Sequence, residues 1–138
     1  MAVSADRSVA FEPFSTSALD GSIPGRFEQQ VVRHPDRVAV KAGTTTWTYA
    51  TLNRIANQIA HGILAARGSG AEPVVLALEQ TPLLVAAILG TLKAGKIYVP
   101  LDPDLPAQRI GDVVEDSQAR LIIAGTRPAD IRPRSVTA

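Results

Sequence analysis

Residues 92–109 read Leu-Lys-Ala-Gly-Lys-Ile-Tyr-Val-Pro-Leu-Asp-Pro-Asp-Leu-Pro-Ala-Gln-Arg, and they pass from a helix end through a strand into a proline-framed turn without a spare residue. Gly95 is the residue type that closes a helix, because only glycine enters the left-handed region without a Cβ penalty. Ile97 to Leu101 is short and β-rich, while Pro100, Pro103 and Pro106 fix φ and remove donors, so the strand must stop in an irregular connection. A helix that hands over directly to a strand, which then leads to another helix, belongs to a wound α/β architecture rather than to a bundle or a sandwich.

The rest of the chain extends this alternation. Residues 24–34 carry Phe27, Val31 and Val32 at helical spacing, and Pro35 ends that helix, which makes His34 a helix-end residue. Residues 37–41 and 44–49, around Ala42-Gly43, read as a hairpin. A second helix is predicted from Leu52, Ile55, Ala56, Ile59, Ala60, Ile63 and Leu64, with Gly68 as its stop and Thr48 as its N-cap. Thr51 then stands at the third helical position, where a capping box would carry Glu or Gln. Residues 73–79 form a continuous apolar run, as in a strand buried on both faces of a parallel sheet. Thr81-Pro82 opens a third helix with a hydroxyl cap and proline at the first position. That helix is apolar nearly all round over residues 83–92, and such a helix is buried on more than one side. A fourth helix with Ile110, Val113 and Val114 inward and a strand over residues 120–124 complete the pattern. The expected fold is therefore α/β, a mostly parallel sheet flanked by helices.

Residues 1–21 show no sustained period and read as a leader or linker, in which Phe11 and Phe14 are candidates for docking on a surface. Residues 22–125 form the folded unit. Residues 126–138 are polar, with Arg127, Arg132 and Arg134, and read as a flexible tail whose arginines are solvated rather than bound to nucleic acid. Fourteen basic and 13 acidic residues leave a formal charge of +1, which provides no drive toward nucleic acid or acidic lipid. The chain has no cysteine, so thiolate chemistry, disulfides and cysteine metal sites are excluded, and the cytoplasm is the default compartment. No run is long enough to span a bilayer, and the first ten residues lack the apolar core of a secretion signal.

Several segments in order resemble the amino-acid adenylation domains of nonribosomal peptide synthetases, adenylate-forming enzymes of the AMP-binding superfamily. Residues 92–103 are similar to that family's second core motif, departing mainly at Ile97, where alanine is common. Trp47-Thr48-Tyr49-Ala50-Thr51-Leu52 resembles the first, Leu-Thr/Ser-Tyr-x-Glu-Leu, with Trp47 for leucine and Thr51 for glutamate. Residues 35–40 resemble the approach to the first strand, and Glu79-Gln80-Thr81 stands where arginine and serine often follow the glutamate. The resemblance covers about residues 27–125, the N-terminal subdomain of the fold. It implies the reaction of a carboxylate with ATP to acyl-AMP and pyrophosphate, followed by thioester formation, with ATP and magnesium as cofactors of the complete family.

The resemblance also places the chemistry elsewhere. The family holds ATP with a Ser/Thr/Gly-rich loop closing in Pro-Lys-Gly, a downstream ribose-binding aspartate and a C-terminal lysine, and no segment here matches them. Gly68-Ser69-Gly70 lacks the length and the lysine of a phosphate cradle. His34 and His61, the only histidines, lack partners for a metal site or a triad. Each motif residue has a structural reading: Asp102 caps local amides, Lys93 and Lys96 favour the helix-end dipole, and Trp47 and Tyr98 are core aromatics. The expectation is no catalytic, no cofactor-binding and no metal residue within the chain, no bound cofactor, and a unit unable to adenylate alone. Its expected partner is the remainder of an adenylation domain, or a second copy through an uncovered apolar face. A non-catalytic interaction module and one half of a split enzyme remain as alternatives, and the buried character of residues 83–92 favours an enzyme part.

Overall fold

The structure is a computed structural model that describes residues 13–125 and 132–135. After a short 3₁₀ helix, Thr16–Asp20, come α1 (Ile23–Arg33), β1 (Val38–Ala42), β2 (Thr45–Thr48), α2 (Tyr49–Arg67), β3 (Pro73–Ala77), α3 (Pro82–Lys93), β4 (Ile97–Leu101), α4 (Ala107–Ser117), β5 (Leu121–Ala124) and β6 (Arg132–Ser135). No helix among the described residues is long and apolar enough to cross a membrane.

The sheet runs β4-β3-β5-β6, with β3 parallel to both β4 and β5, and β6 antiparallel to β5. β1 and β2 pair separately as an antiparallel hairpin. Two corrections concern the ends. Part of the expected leader is the 3₁₀ helix, and Arg132–Ser135, within the expected tail, is β6, whose main chain pairs Ile122 with Arg134. The open edge of β5 recruits it despite its lack of apolar period, because ladder bonds are made by the main chain. The rest of the expected tail and residues 1–12, including Phe11, lie outside the described residues.

Side-chain alternation divides the core in two. Val74, Leu76, Leu121 and Ile123 face α2 and α3 and pack with Leu52, Ile55, Ile59, Ile63, Leu83, Ala86 and Ala87. Val75 points the other way and joins Leu101, Ala119, Ile110, Val113 and Val114 beneath α4. β3 is therefore buried on both faces, as its unbroken apolar run requires. It stops at Ala77 rather than at residue 79, because Leu101 of β4 and Ala124 of β5 are its last partners.

α3 explains its own composition. It packs against α2, α1 and the sheet, and buries Leu83, Ala86, Ala87, Leu89, Gly90 and Thr91. Thr91 donates its hydroxyl proton to the Ala87 carbonyl at 2.7 Å, which satisfies the one hydroxyl on that buried face. Gly90 sits where α3 meets α2: a Cβ there would stand 2.7 Å from the Ala56 carbonyl oxygen and 2.9 Å from Ile59 Cβ. The caps agree with the sequence in part. Thr48 Oγ1 accepts from the Thr51 amide at 3.2 Å, but the Thr81 hydroxyl makes no cap bond, and its carbonyl instead accepts from Leu84 N–H at 3.0 Å.

At the end of α3 the Gly95 amide donates to Leu92 O and the Lys96 amide to Thr91 O, each at 3.0 Å, with Gly95 at φ 71°. These are the paired bonds of a Schellman cap. A Cβ on Gly95 would meet nothing within 4 Å, so a substitution there reports backbone strain alone. Gly95→Val is expected to lower stability by more than about 1 kcal/mol in urea unfolding, and an unchanged midpoint would remove the left-handed assignment.

Candidate functional site at the strand ends

In an open α/β sheet, ligands bind beyond the carboxyl ends of the parallel strands. Here the ends of β3 and β4 frame a cleft of about 350 Å³. Its floor is apolar, from Leu78, Leu84 and Leu101, and its rim carries Glu79, Gln80, Asp102 and Asp104. Proline geometry builds the rim. Asp102 follows directly on the strand and Pro103 opens the turn; the Asp104 amide donates to Asp102 Oδ1 at 3.0 Å, and the Leu105 amide donates to Asp102 O at 3.3 Å. Asp102 therefore organises its own turn, as expected from the sequence. Three carboxylates and no cation line the cleft, so it can accept hydrogen bonds from an amine or hydroxyl but repels a triphosphate. Among the described residues no group of three or more His, Cys, Asp or Glu is placed to hold a metal ion.

The opposite end of the strands holds a charged clamp. Arg67, the last residue of α2, grips Glu72 with both arms of its guanidinium, Nε to Oε1 at 3.0 Å and Nη2 to Oε2 at 2.9 Å. Lys96 Nζ donates to the same Oε1 at 3.1 Å and to the Gly70 carbonyl at 2.7 Å. The Lys96 side chain is wholly buried and that of Glu72 is 23% exposed. The hydrogen bonds from Arg67, reinforced by the one from Lys96, hold the Glu72 carboxyl at about 2, well below its ordinary value. The clamp ties the α2–β3 loop to the α3–β4 junction, so Gly68-Ser69-Gly70 is a fastened turn.

Lys93 and Lys96 thus part company. Lys93 pairs with Glu28 of α1 and lies 5.8 Å from the centre of the Phe27 ring, whereas Lys96 belongs to the clamp. Pairing with named carboxylates, more than the helix dipole, accounts for both. Trp47 packs half-buried against the main core. Tyr98 corrects its expectation: it is exposed, because β4 is an edge strand and this residue lies on the sheet's rim. His34 is the C-cap of α1. His61 is an exposed residue of α2. Glu72 was not legible as a hub, since its partners lie on two other segments and neither spacing has a helical or strand period.

Residues 27–137 match the sequence profile of the AMP-binding enzyme family. The chain is 42% identical over 109 residues to one component of the linear gramicidin synthase of Brevibacillus parabrevis, covering 79% of this chain and 1% of that protein. It is 45% identical over 108 residues to another component of the same synthase, covering 78% of this chain and 2% of that protein. Among solved structures it superposes on the N-terminal subdomain of Klebsiella oxytoca NpsA in complex with 3-hydroxybenzoyl-AMSN, with a TM-score of 0.69 and 27% identity, over 78% of this chain and 28% of that one. These synthetases are far longer than the segment they share with this chain. The shared order of helices and strands, together with the sequence likeness, shows that the chain belongs to the AMP-binding enzyme family and corresponds to the N-terminal part of a nonribosomal peptide synthetase adenylation domain.

Proposed function

We propose that this unit is the N-terminal scaffold of a domain that activates an amino acid with ATP. It supplies a wall of the active-site region, and the residues that hold the nucleotide and magnesium are supplied by the remainder of such a domain. The carboxylate-rimmed cleft carries this reading. It lies where an α/β sheet presents ligands, yet its charge opposes the phosphates that the reaction must hold. The polar groups of the second motif support it, because Lys96 and Asp102 are engaged within the fold. The implied partner is the rest of an adenylation domain, in the same polypeptide or another.

The test is calorimetry of the folded chain with ATP and magnesium, alone and with a mixture of amino acids. No saturable heat is expected. Saturable ATP binding would place a nucleotide site within these residues and overturn the assignment of a scaffold.

A further inference from the structure

α1 packs on α2 and α3 and yet buries no residue of its own. Of its apolar side chains Phe27 alone is packed against the main core, while Ile23 is 65% exposed and Val32 82%. Its two neighbours differ, since six residues of α2 and seven of α3 are buried, most of them in the core that these helices share with the sheet. The Lys93 ammonium fastens α1 through the Glu28 carboxylate, but that carboxylate is 58% exposed. Docking also carries a cost. Gln30 Nε2 is buried with no hydrogen-bond partner, a donor that water satisfies once the helix lifts.

The main chain sets where such an opening stops. The Ala50 amide donates to Pro35 O at 2.9 Å and the Tyr49 amide to Arg37 O at 3.0 Å, so the chain is pinned to the start of α2 just after α1 ends. Upstream of these pins the 3₁₀ helix and α1 hold each other, with the Arg26 guanidinium 5.4 Å from the centre of the Phe14 ring. Residues 13–34 therefore make one piece on a fastened hinge. Lifted from its neighbours, that piece does not keep its helix: isolated helices shorter than about 12–15 residues are marginal in water, and α1 has 11. Its amide protons then exchange with solvent, which makes the opening measurable.

We propose that residues 13–34 are a flap that opens as a unit while α2, α3 and the sheet stay folded, with Phe27 and the Lys93–Glu28 pair as its latch. Opening bares the wall that Tyr49, Leu52, Ile88 and Leu89 share with α1 and releases the Lys93 ammonium, so the unit has two forms of different surface over one unchanged core. The inference is independent of the function proposed above. Native-state hydrogen exchange of the full chain, read amide by amide by NMR, tests it. Relative to their intrinsic rates, the amides of residues 28–33 are expected to exchange together and at least about a hundredfold faster than those of Ile59, Ile63 and Leu89. Glu28→Gln is expected to speed the α1 amides about three- to tenfold, and Phe27→Ala more, because each weakens the latch. Gly90→Ala is expected to speed the α2 and α3 amides about thirtyfold and to leave α1 unchanged, because the α2–α3 crossing is intact in both the closed and the open form. Ile59→Val gives the same contrast with a milder change in the core. Equal protection in α1 and α2, or α1 amides that speed with the core in Gly90→Ala or Ile59→Val, would show one cooperative unit and overturn the proposal. Unrelated rates along residues 28–33 would overturn it by showing residue-by-residue fraying, and α1 rates unmoved by both Glu28→Gln and Phe27→Ala would remove the latch.

Discussion

Gly90→Ala is expected to destabilise the chain by about 2 kcal/mol, although alanine improves intrinsic helix propensity by about 1 kcal/mol. The added methyl meets the Ala56 carbonyl oxygen at 2.7 Å and two carbons of Ile59 at 2.9 Å, and the nearest of these is backbone. Relief requires α2 and α3 to move apart, which loosens the contact that covers one face of the sheet. Gly111 in α4 is the internal control. A Cβ there meets nothing within 4 Å, so Gly111→Ala should stabilise by roughly 0.5–1 kcal/mol through the same propensity term. Urea unfolding of the two variants should therefore shift in opposite directions. A neutral Gly90→Ala would mean that the helices are not in close contact at that point.

Glu72→Ala is expected to cost about 2–3 kcal/mol at neutral pH, because it leaves the buried Lys96 ammonium with the Gly70 carbonyl as its remaining partner in the clamp. The partial exposure of Glu72 keeps the effect below that of breaking a fully buried pair. Lys96→Met removes the charge together with its desolvation and should cost much less. The carboxyl also predicts a pH dependence. Its folded-state value, about 2, lies below the ordinary 4.5, so the stabilisation is fully present above about pH 5 and is lost as pH falls through 2. The stability difference between wild type and Glu72→Gln should accordingly be flat from pH 5 to 8 and narrow toward pH 2. A difference that does not change with acid would show that Glu72 is not held ionised by Arg67 and Lys96.

The order of elements was legible because local chemistry and tertiary need coincide along most of this chain. Gly95, Pro82 and the apolar period of α2 each mark an element boundary or face that the structure keeps. What escaped was decided between segments. β6 forms in a polar run because β5 leaves an open edge, and Tyr98 is exposed because β4 stands outermost, a fact of strand order that no local window contains. The strand-end cleft was half legible: Asp102 and its prolines were visible as a turn, but the approach of Glu79 and Gln80 required the parallel register of β3 and β4. The clamp was illegible for the same reason, since Arg67, Glu72 and Lys96 are brought together only by the crossing of two loops.

Pro100 has a bearing on how this protein behaves in a crowded solution. Ile97 donates its amide inward to Glu72 O, so alternation along β4 turns the main-chain groups of Tyr98 and Pro100 outward. Proline has no proton to offer there, which leaves that stretch of the rim with one donor, Tyr98 N–H, against two carbonyls. A foreign strand arriving at this edge cannot complete a regular ladder with it. This one residue inside the edge strand thereby protects the sheet from templating fibres, a safeguard against aggregation lodged inside a motif otherwise associated with an enzyme's signature.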